Sequence, residues 1–426
     1  MKNPTCVLAK EKIVLTILFL LFINTLHTSY AQTDTSPITI IPEFIFGTSA
    51  ASNKTFPERK LQKQAVFNLV WHHENNTQEW AQWLHSPRTG ISLGYTDFGN
   101  SDRLGSAITL MPFLEFNVFK KKRLTALIGV GTSYFTNQFD FETNFFNRAV
   151  STDFTWSFRA FMNYNFLQKE KVNYRVGAGI FHHSNGHTRL PNQGYNSFLI
   201  SLSAEIKGAK YRAYTENPVV HTKPERTVQN YIAIRTGIGQ NVFSDVSIFN
   251  EKKEVYTLSA EYGKIYNKTL KLGIGAFYNL YEHYYDYIND NESLVQDGEE
   301  FASLRDNPWH NASNYGLFLK GEVLLNHIGI EVRFGANFHK PAYQIDWRIN
   351  EGWDFAPREI PDGWVLGELD SKFKFKNAIN ARVGLKYYLI GTNAAPKHNV
   401  YAGAFINANL GQADFTELGV GYVRSF

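Results

Sequence analysis

The sequence predicts an all-β chain, an antiparallel transmembrane β-barrel of the outer membrane with about 14–16 strands. Three observations carry that expectation. The chain opens with an export leader and has no later apolar span, its composition is rich in aromatics and glycine, and its long segments alternate apolar with polar residues.

The leader comes first. Lys2, Lys10 and Lys12 flank the start of the apolar run "IVLTILFLLFI", and "SYA" ends at Ala31. This is the layout of a secretory signal over residues 1–31, with cleavage near Ala31 and a mature chain from Gln32. No later segment approaches the ~18 consecutive apolar residues of a membrane-spanning helix. Cys6 leaves with the leader, so it serves neither a disulfide nor thiol catalysis, and its place before the apolar run argues against a lipoprotein. Removing three lysines and Glu11 lowers the formal charge from +4 to +2, and no long basic run offers a nucleic-acid surface. The 34 Phe, 23 Tyr, 8 Trp and 31 Gly are more than a water-exposed domain would carry, and suit strands facing lipid.

Period two then defines the strands. In "TDFTWSFRAFMNYNF" the row Phe154, Trp156, Phe158, Ala160, Met162, Tyr164 and Phe166 alternates with Asp153, Thr155, Ser157, Arg159, Asn163 and Asn165. In "HIGIEVRFGAN" Ile328, Ile330, Val332, Phe334 and Ala336 alternate with His327, Glu331, Arg333 and Asn337. Such segments match the ~9–11 tilted residues that cross a bilayer. A soluble barrel with an apolar interior ranks well below this reading. Sixteen candidates fall near 39–47, 65–71, 90–98, 105–119, 123–135, 151–167, 172–184, 194–206, 230–238, 255–262, 267–280, 314–325, 327–337, 376–390, 397–409 and 415–426. The joins "KKK" (120–122), "QKEK" (168–171), "YNKT" (266–269) and Asn326 are tight, whereas 136–150, 281–313 and 338–375 are long and polar. Short inner turns and long outer loops make odd strands run outward and even strands inward.

Residues 207–229 interrupt this rhythm as a polar, proline-containing linker on the periplasmic side, dividing a half at 32–206 from one at 230–426. "YRVGAGIFHHSNG" aligns with "VYAGAFINANLGQ" at an offset of 226, and 157–167 with 380–390, so the chain reads as a duplication of an eight-stranded unit. Sixteen strands in one barrel could leave a channel whereas two eight-stranded barrels would be filled, and the single large barrel is the favoured expectation.

The candidate site is "GIFHHSNGHTRLPNQGYNSFLISLSAEI", residues 179–206. By parity Val172, Tyr174, Val176, Ala178 and Ile180 share one face with His182 and Ser184, and Asn196 heads the apolar row Phe198, Ile200, Leu202. His182, Ser184 and Asn196 therefore meet on the lipid side of one hairpin, at its outer end. A histidine two residues from a serine can act as base and nucleophile, with a third polar group holding the imidazole. An interfacial polar rim is the equal alternative from parity alone.

"HHSNGHTRLPNQGYN" resembles the active-site stretch of the lipid A 3-O-deacylases, outer-membrane barrels also described as acyloxyacyl hydrolase-like. The resemblance implies Ser184 as nucleophile, His182 as general base, and Asn185 and Asn192 as amide donors to an oxyanion. Asn196 stands where the family has an acid, able to fix the His182 tautomer but not to offset an imidazolium charge. It further implies a serine esterase that removes an acyl chain from lipid A, with lipopolysaccharide of the outer leaflet as partner and no metal or organic cofactor. The half after the linker has no counterpart in the small family members.

The rival expectation is a non-catalytic barrel, a channel or structural protein with a relic site. Lumen-facing Arg159, Lys320, Glu322, Glu331, Arg333, Arg382 and Lys386 fit a wet pore and a sealed, salt-bridged lumen equally. Among lesser signals, His183 and His187 read as polar lining, "WHHEN" (72–74 at its core) as strand-end packing, and "DYINDNE" (286–292) as a solvated loop without calcium-loop spacing. Oligomeric state is open at this level.

Overall fold

The computed structural model describes residues 37–53, 55–119, 123–216, 219, 224–244, 250–350, 369–409 and 411–426. The expected leader with its cleavage position, and the join at 120–122, lie outside them. Sixteen strands form: β1 (Ile38–Ser49), β2 (Gln62–Trp71), β3 (Arg88–Asp97), β4 (Ser106–Asn117), β5 (Leu124–Phe135), β6 (Phe154–Gln168), β7 (Val172–Ser184) and β8 (Tyr195–Ile206) come first. After them follow β9 (Val228–Val242), β10 (Lys252–Tyr266), β11 (Leu270–Tyr281), β12 (Ser313–Leu325), β13 (Ile328–His339), β14 (Ile379–Tyr388), β15 (His398–Asn409) and β16 (Gln412–Ser425). No described helix is long and apolar enough to cross a membrane.

The fold is all-β and antiparallel, but it is two barrels rather than one. β1 closes onto β8, with Phe44 opposite Leu202, and β9 closes onto β16, with Ile234 opposite Tyr422. The favoured single large barrel is therefore corrected to two eight-stranded ones, because each group of eight satisfies its own edges with backbone hydrogen bonds. The segments aligned at an offset of 226 lie on β7 and β15, the seventh strand of each barrel.

Alternation explains both faces. Phe67, Leu93, Phe198, Ile234, Leu319 and Phe334 are more than half exposed on the outside, as lipid-facing side chains are in the isolated chain. Inward, eight strands leave a lumen that side chains fill. In the first barrel Arg159 pairs with Glu43 at 2.7 Å, while Glu115 and Glu205 hold Arg88 at 2.9 and 2.8 Å. In the second, Lys386 lies 2.9 Å from Glu322 and 2.5 Å from Glu331, which also pairs with Arg382. Arg159, Lys320, Glu322, Glu331, Arg333, Arg382 and Lys386 are all buried, so among the described residues the lumens are filled by ion-paired side chains. Breaking such a pair leaves an uncompensated charge. Glu331→Ala is expected to lower stability by about 3 kcal/mol, read as an earlier unfolding midpoint in detergent and denaturant.

Asn326, at φ 61°, makes the tight turn between β12 and β13 that the sequence anticipates. The long segments are less loop-like than their polarity implied. Helices Glu282–Asn289, Tyr343–Asn350 and Leu369–Ala378 form at the outer end of the second barrel, and Tyr284, Tyr287, Ile288 and Ile345 bury there against Phe243 and Phe415. The stretch 207–229 likewise holds a helix, Ala209–Glu216, tied to the first barrel by Tyr214, whose hydroxyl accepts from the Asn75 N–H at 2.7 Å.

Candidate active site

The site is built on the β7–β8 hairpin. Antiparallel register sets His182 opposite Asn196, and on the other side of β7 sets Ser184 opposite Trp156 of β6. Because the pairing residues share a face, register alone brings the imidazole and the amide together. His182 Nδ1 lies 2.8 Å from Asn196 Oδ1. With the amide oxygen toward the ring, Nδ1 carries the proton and Nε2 is left as the acceptor, the tautomer a general base requires. Nε2 makes no protein hydrogen bond among the described residues, and none joins His182 to Ser184 directly.

Ser184, the last residue of β7, is buried at 8% exposure where the connecting loop begins. Asn192 donates its side-chain amide to Ser184 Oγ at 2.9 Å, and the Gly186 N–H donates to the same atom at 3.3 Å. Asn192 also accepts from the Asn185 N–H through Oδ1, at 3.0 Å, so the loop's two ends are pinned to each other. Asn185 itself is turned into the loop. Its side-chain amide donates to the Arg189 carbonyl at 2.7 Å and to Ser151 Oγ at 3.2 Å, and its Oδ1 accepts from the His187 N–H at 3.0 Å. The expected amide donation from Asn185 toward an oxyanion thus has no free donor in this arrangement, and Asn185 shapes the turn instead. The Gly186 N–H is a donor that sequence reasoning missed. Its signal was the Asn-Gly-His turn after Ser184, where Gly186 and His187 take φ of 67° and 68°.

Gly194 completes the site from below. At φ 74° it is in the left-handed region, and a Cβ there would lie 3.0 Å from His182 Cε1. Gly194→Ala is therefore expected to push the imidazole out of line and cost about 10²-fold in turnover, with the folded-barrel gel mobility retained. An unchanged rate would show that the ring is not held from this side.

The remaining candidates separate cleanly. His183 points into the lumen, 2.9 Å from Ser157 Oγ and ringed by Phe98, Phe135 and Phe181. His187 is half-buried in the loop, and burial holds its imidazole below the usual histidine value. His72 Nε2 bonds Thr39 Oγ1 at 2.8 Å, and burial drops the His73 imidazole to about 4. Asp286 pairs with Lys253. Among the described residues no group of three His, Cys, Asp or Glu could hold a metal ion.

Comparison with known proteins follows this geometry. Residues 65–205 match the lipid A 3-O-deacylase (PagL) family. The resemblance carried by the 182–196 stretch therefore extends over most of the first barrel, from β2 to β8. The crystal structure of the outer membrane enzyme PagL is similar at 15% identity and a TM-score of 0.28, over 38% of this chain and 97% of that one. An outer-membrane channel from Pseudomonas putida F1 aligns at 10% identity and a TM-score of 0.18, over 93% of this chain and 99% of that one. A Rhodopseudomonas blastica porin variant aligns at 8% identity and a TM-score of 0.14, over 92% and 99%. No curated protein matches. The chain is a two-barrel β protein whose first barrel is similar to the lipid A 3-O-deacylase family over residues 65–205.

Proposed function

We propose that the first barrel is a serine esterase that removes an ester-linked acyl chain from lipid A. The observation that carries this reading is the convergence of Ser184, His182, Asn192 and Asn196 at one outer hairpin end, inside the family-matched residues. Ser184 Oγ attacks the ester carbonyl carbon, and His182 Nε2 takes the hydroxyl proton. The carbonyl π pair moves onto oxygen, giving a tetrahedral oxyanion. Asn192 Nδ2 and the Gly186 N–H, which donate to Oγ at rest, are the donors this reading gives to the oxyanion on the carbon that Oγ attacks. One such donor is worth about 3 kcal/mol of barrier in comparable acyl transfers. Collapse expels the sugar alkoxide, which takes the proton from His182, and water then hydrolyses the acyl-serine by the reverse sequence. The outward row Ile180, Phe198, Ile200 and Leu202 offers the departing acyl chain an apolar track into the leaflet.

A second reading, a barrel with a relic site, draws on one observation: Asn196 occupies the position of the family's acid. The channel form of that reading finds no open lumen among the described residues, since the charged groups inside both barrels are buried against one another. The decisive experiment is incubation of the purified, detergent-folded protein with lipid A, read by mass spectrometry. Loss of one acyl mass supports the esterase, and an unchanged spectrum under conditions where a carboxylate-bearing relative works supports the relic.

A further inference from the structure

The site loop is held from outside its own barrel. Thr416 of β16 accepts a hydrogen bond from Trp156 Nε1 at 3.3 Å and donates to the Gly186 carbonyl at 3.1 Å. Four residues along the loop, Asn250 makes a two-way amide clamp, its Nδ2 donating to the Leu190 carbonyl at 2.9 Å and its Oδ1 accepting from the Leu190 N–H at 3.2 Å. Thr416 on β16 and Asn250 in the β9–β10 connection both lie outside the family-matched residues.

Three features give these contacts meaning for the site. Trp156 is the cross-strand neighbour of Ser184, Gly186 supplies one donor to Ser184 Oγ, and Leu190 is two residues before Asn192, which supplies the other. The approach is close, since a Cβ on Gly186 would overlap the Thr416 hydroxyl. Thr416 also stands beside an apolar stretch of its outward row, the exposed Leu418, Val420 and Tyr422, where an unpartnered hydroxyl would be costly. A further contact ties the opposite end of the barrels: Lys268 in the β10–β11 turn pairs with Glu79 after β2 at 2.7 Å. The seam is thus fixed at both ends.

We propose that the second barrel is a positioning element for the Ser184 site, with Thr416 and Asn250 setting the 186–192 loop and thereby the two N–H donors. It follows that the β6 side of Ser184 is covered, and an acyl chain reaches the nucleophile from the β8 side. This rests on the esterase reading above, and the test keeps the two apart. In the full-length protein, Thr416→Val removes the hydroxyl with little change of shape, Thr416→Ser keeps it, and Asn250→Ala removes the clamp. Two readouts are taken: kcat and KM on lipid A, and the rate of tryptic cleavage after the exposed Arg189, whose bond to Leu190 lies in the Asn250 clamp. Thr416→Val and Asn250→Ala are expected to lower kcat about 10-fold with KM nearly unchanged, and to speed cleavage after Arg189, with Thr416→Ser close to wild type on both. Unchanged kcat and unchanged cleavage in both variants would overturn the inference while leaving the esterase standing. An inactive wild type whose Arg189 cleavage still rises in both variants would overturn the esterase and support the loop clamp. An inactive wild type with unchanged cleavage would overturn both.

Discussion

Ser184→Ala is expected to abolish release of the acyl chain from lipid A, a fall of at least about 10³-fold, while the barrels fold as before. The hydroxyl is the atom that forms the new bond, and removing a nucleophile leaves only what binding and the oxyanion donors supply. Folding is expected to survive because Ser184 ends its strand. Its Oγ accepts from Asn192 and Gly186, and both donors belong to the outer loop rather than to the ladder. Mass spectrometry of lipid A beside folded-barrel gel mobility checks both halves of this expectation. Full activity in the alanine variant would assign the chemistry elsewhere.

The second large effect is a gain. Asn196→Asp is expected to raise kcat by about 10²-fold, because a carboxylate can offset the imidazolium charge that forms when His182 takes the serine proton. The structure selects aspartate over glutamate for this test. Asn196 already places Oδ1 2.8 Å from His182 Nδ1, and aspartate is isosteric with it, whereas the longer glutamate must fold back to reach the same nitrogen. The comparison is made at saturating lipid A in one detergent, with Ser184→Ala added to the same background as the control. A rate that stays at the wild-type level would show that orientation by the amide is sufficient. A fall would show that a charge at this exposed strand end disturbs the lipid interface.

Much of the fold was legible along the chain. Residues 172–184 were read as one strand and are the bounds of β7, since a strand crossing the bilayer shows one face to lipid and one to the lumen. β9 and β10 were read too short, at 230–238 and 255–262, because Asn241 and Lys253 at their ends stand beyond the apolar rows that marked them. The helix Glu282–Asn289 was hidden inside a polar segment. Its buried side chains, Tyr284, Tyr287 and Ile288, follow a helical spacing in "EHYYDYIN", but their cover, Phe243 and Phe415, comes from elsewhere in the chain. Asn185 illustrates the same limit within the site. The resemblance cast it as an oxyanion donor, and only the carbonyl of Arg189 and the hydroxyl of Ser151 reveal where the amide is used.

The sequence by itself determined which residues share a face. Period two is a property of each strand's own backbone, so His182, Ser184 and Asn196 were bound to one side, and the charges of Arg159 and Lys386 to the other. Tertiary structure decided which edges close. β8 returns to β1 and β16 to β9 through backbone hydrogen bonds that carry no side-chain signature, so the linker could mark two halves of eight strands but not show whether each half closes on itself. It also decided that Thr416 meets the loop at Gly186, 230 residues away along the chain. That contact depends on how two closed barrels pack side by side, which is a matter of shape at the scale of the barrels and leaves no periodic trace in the residues.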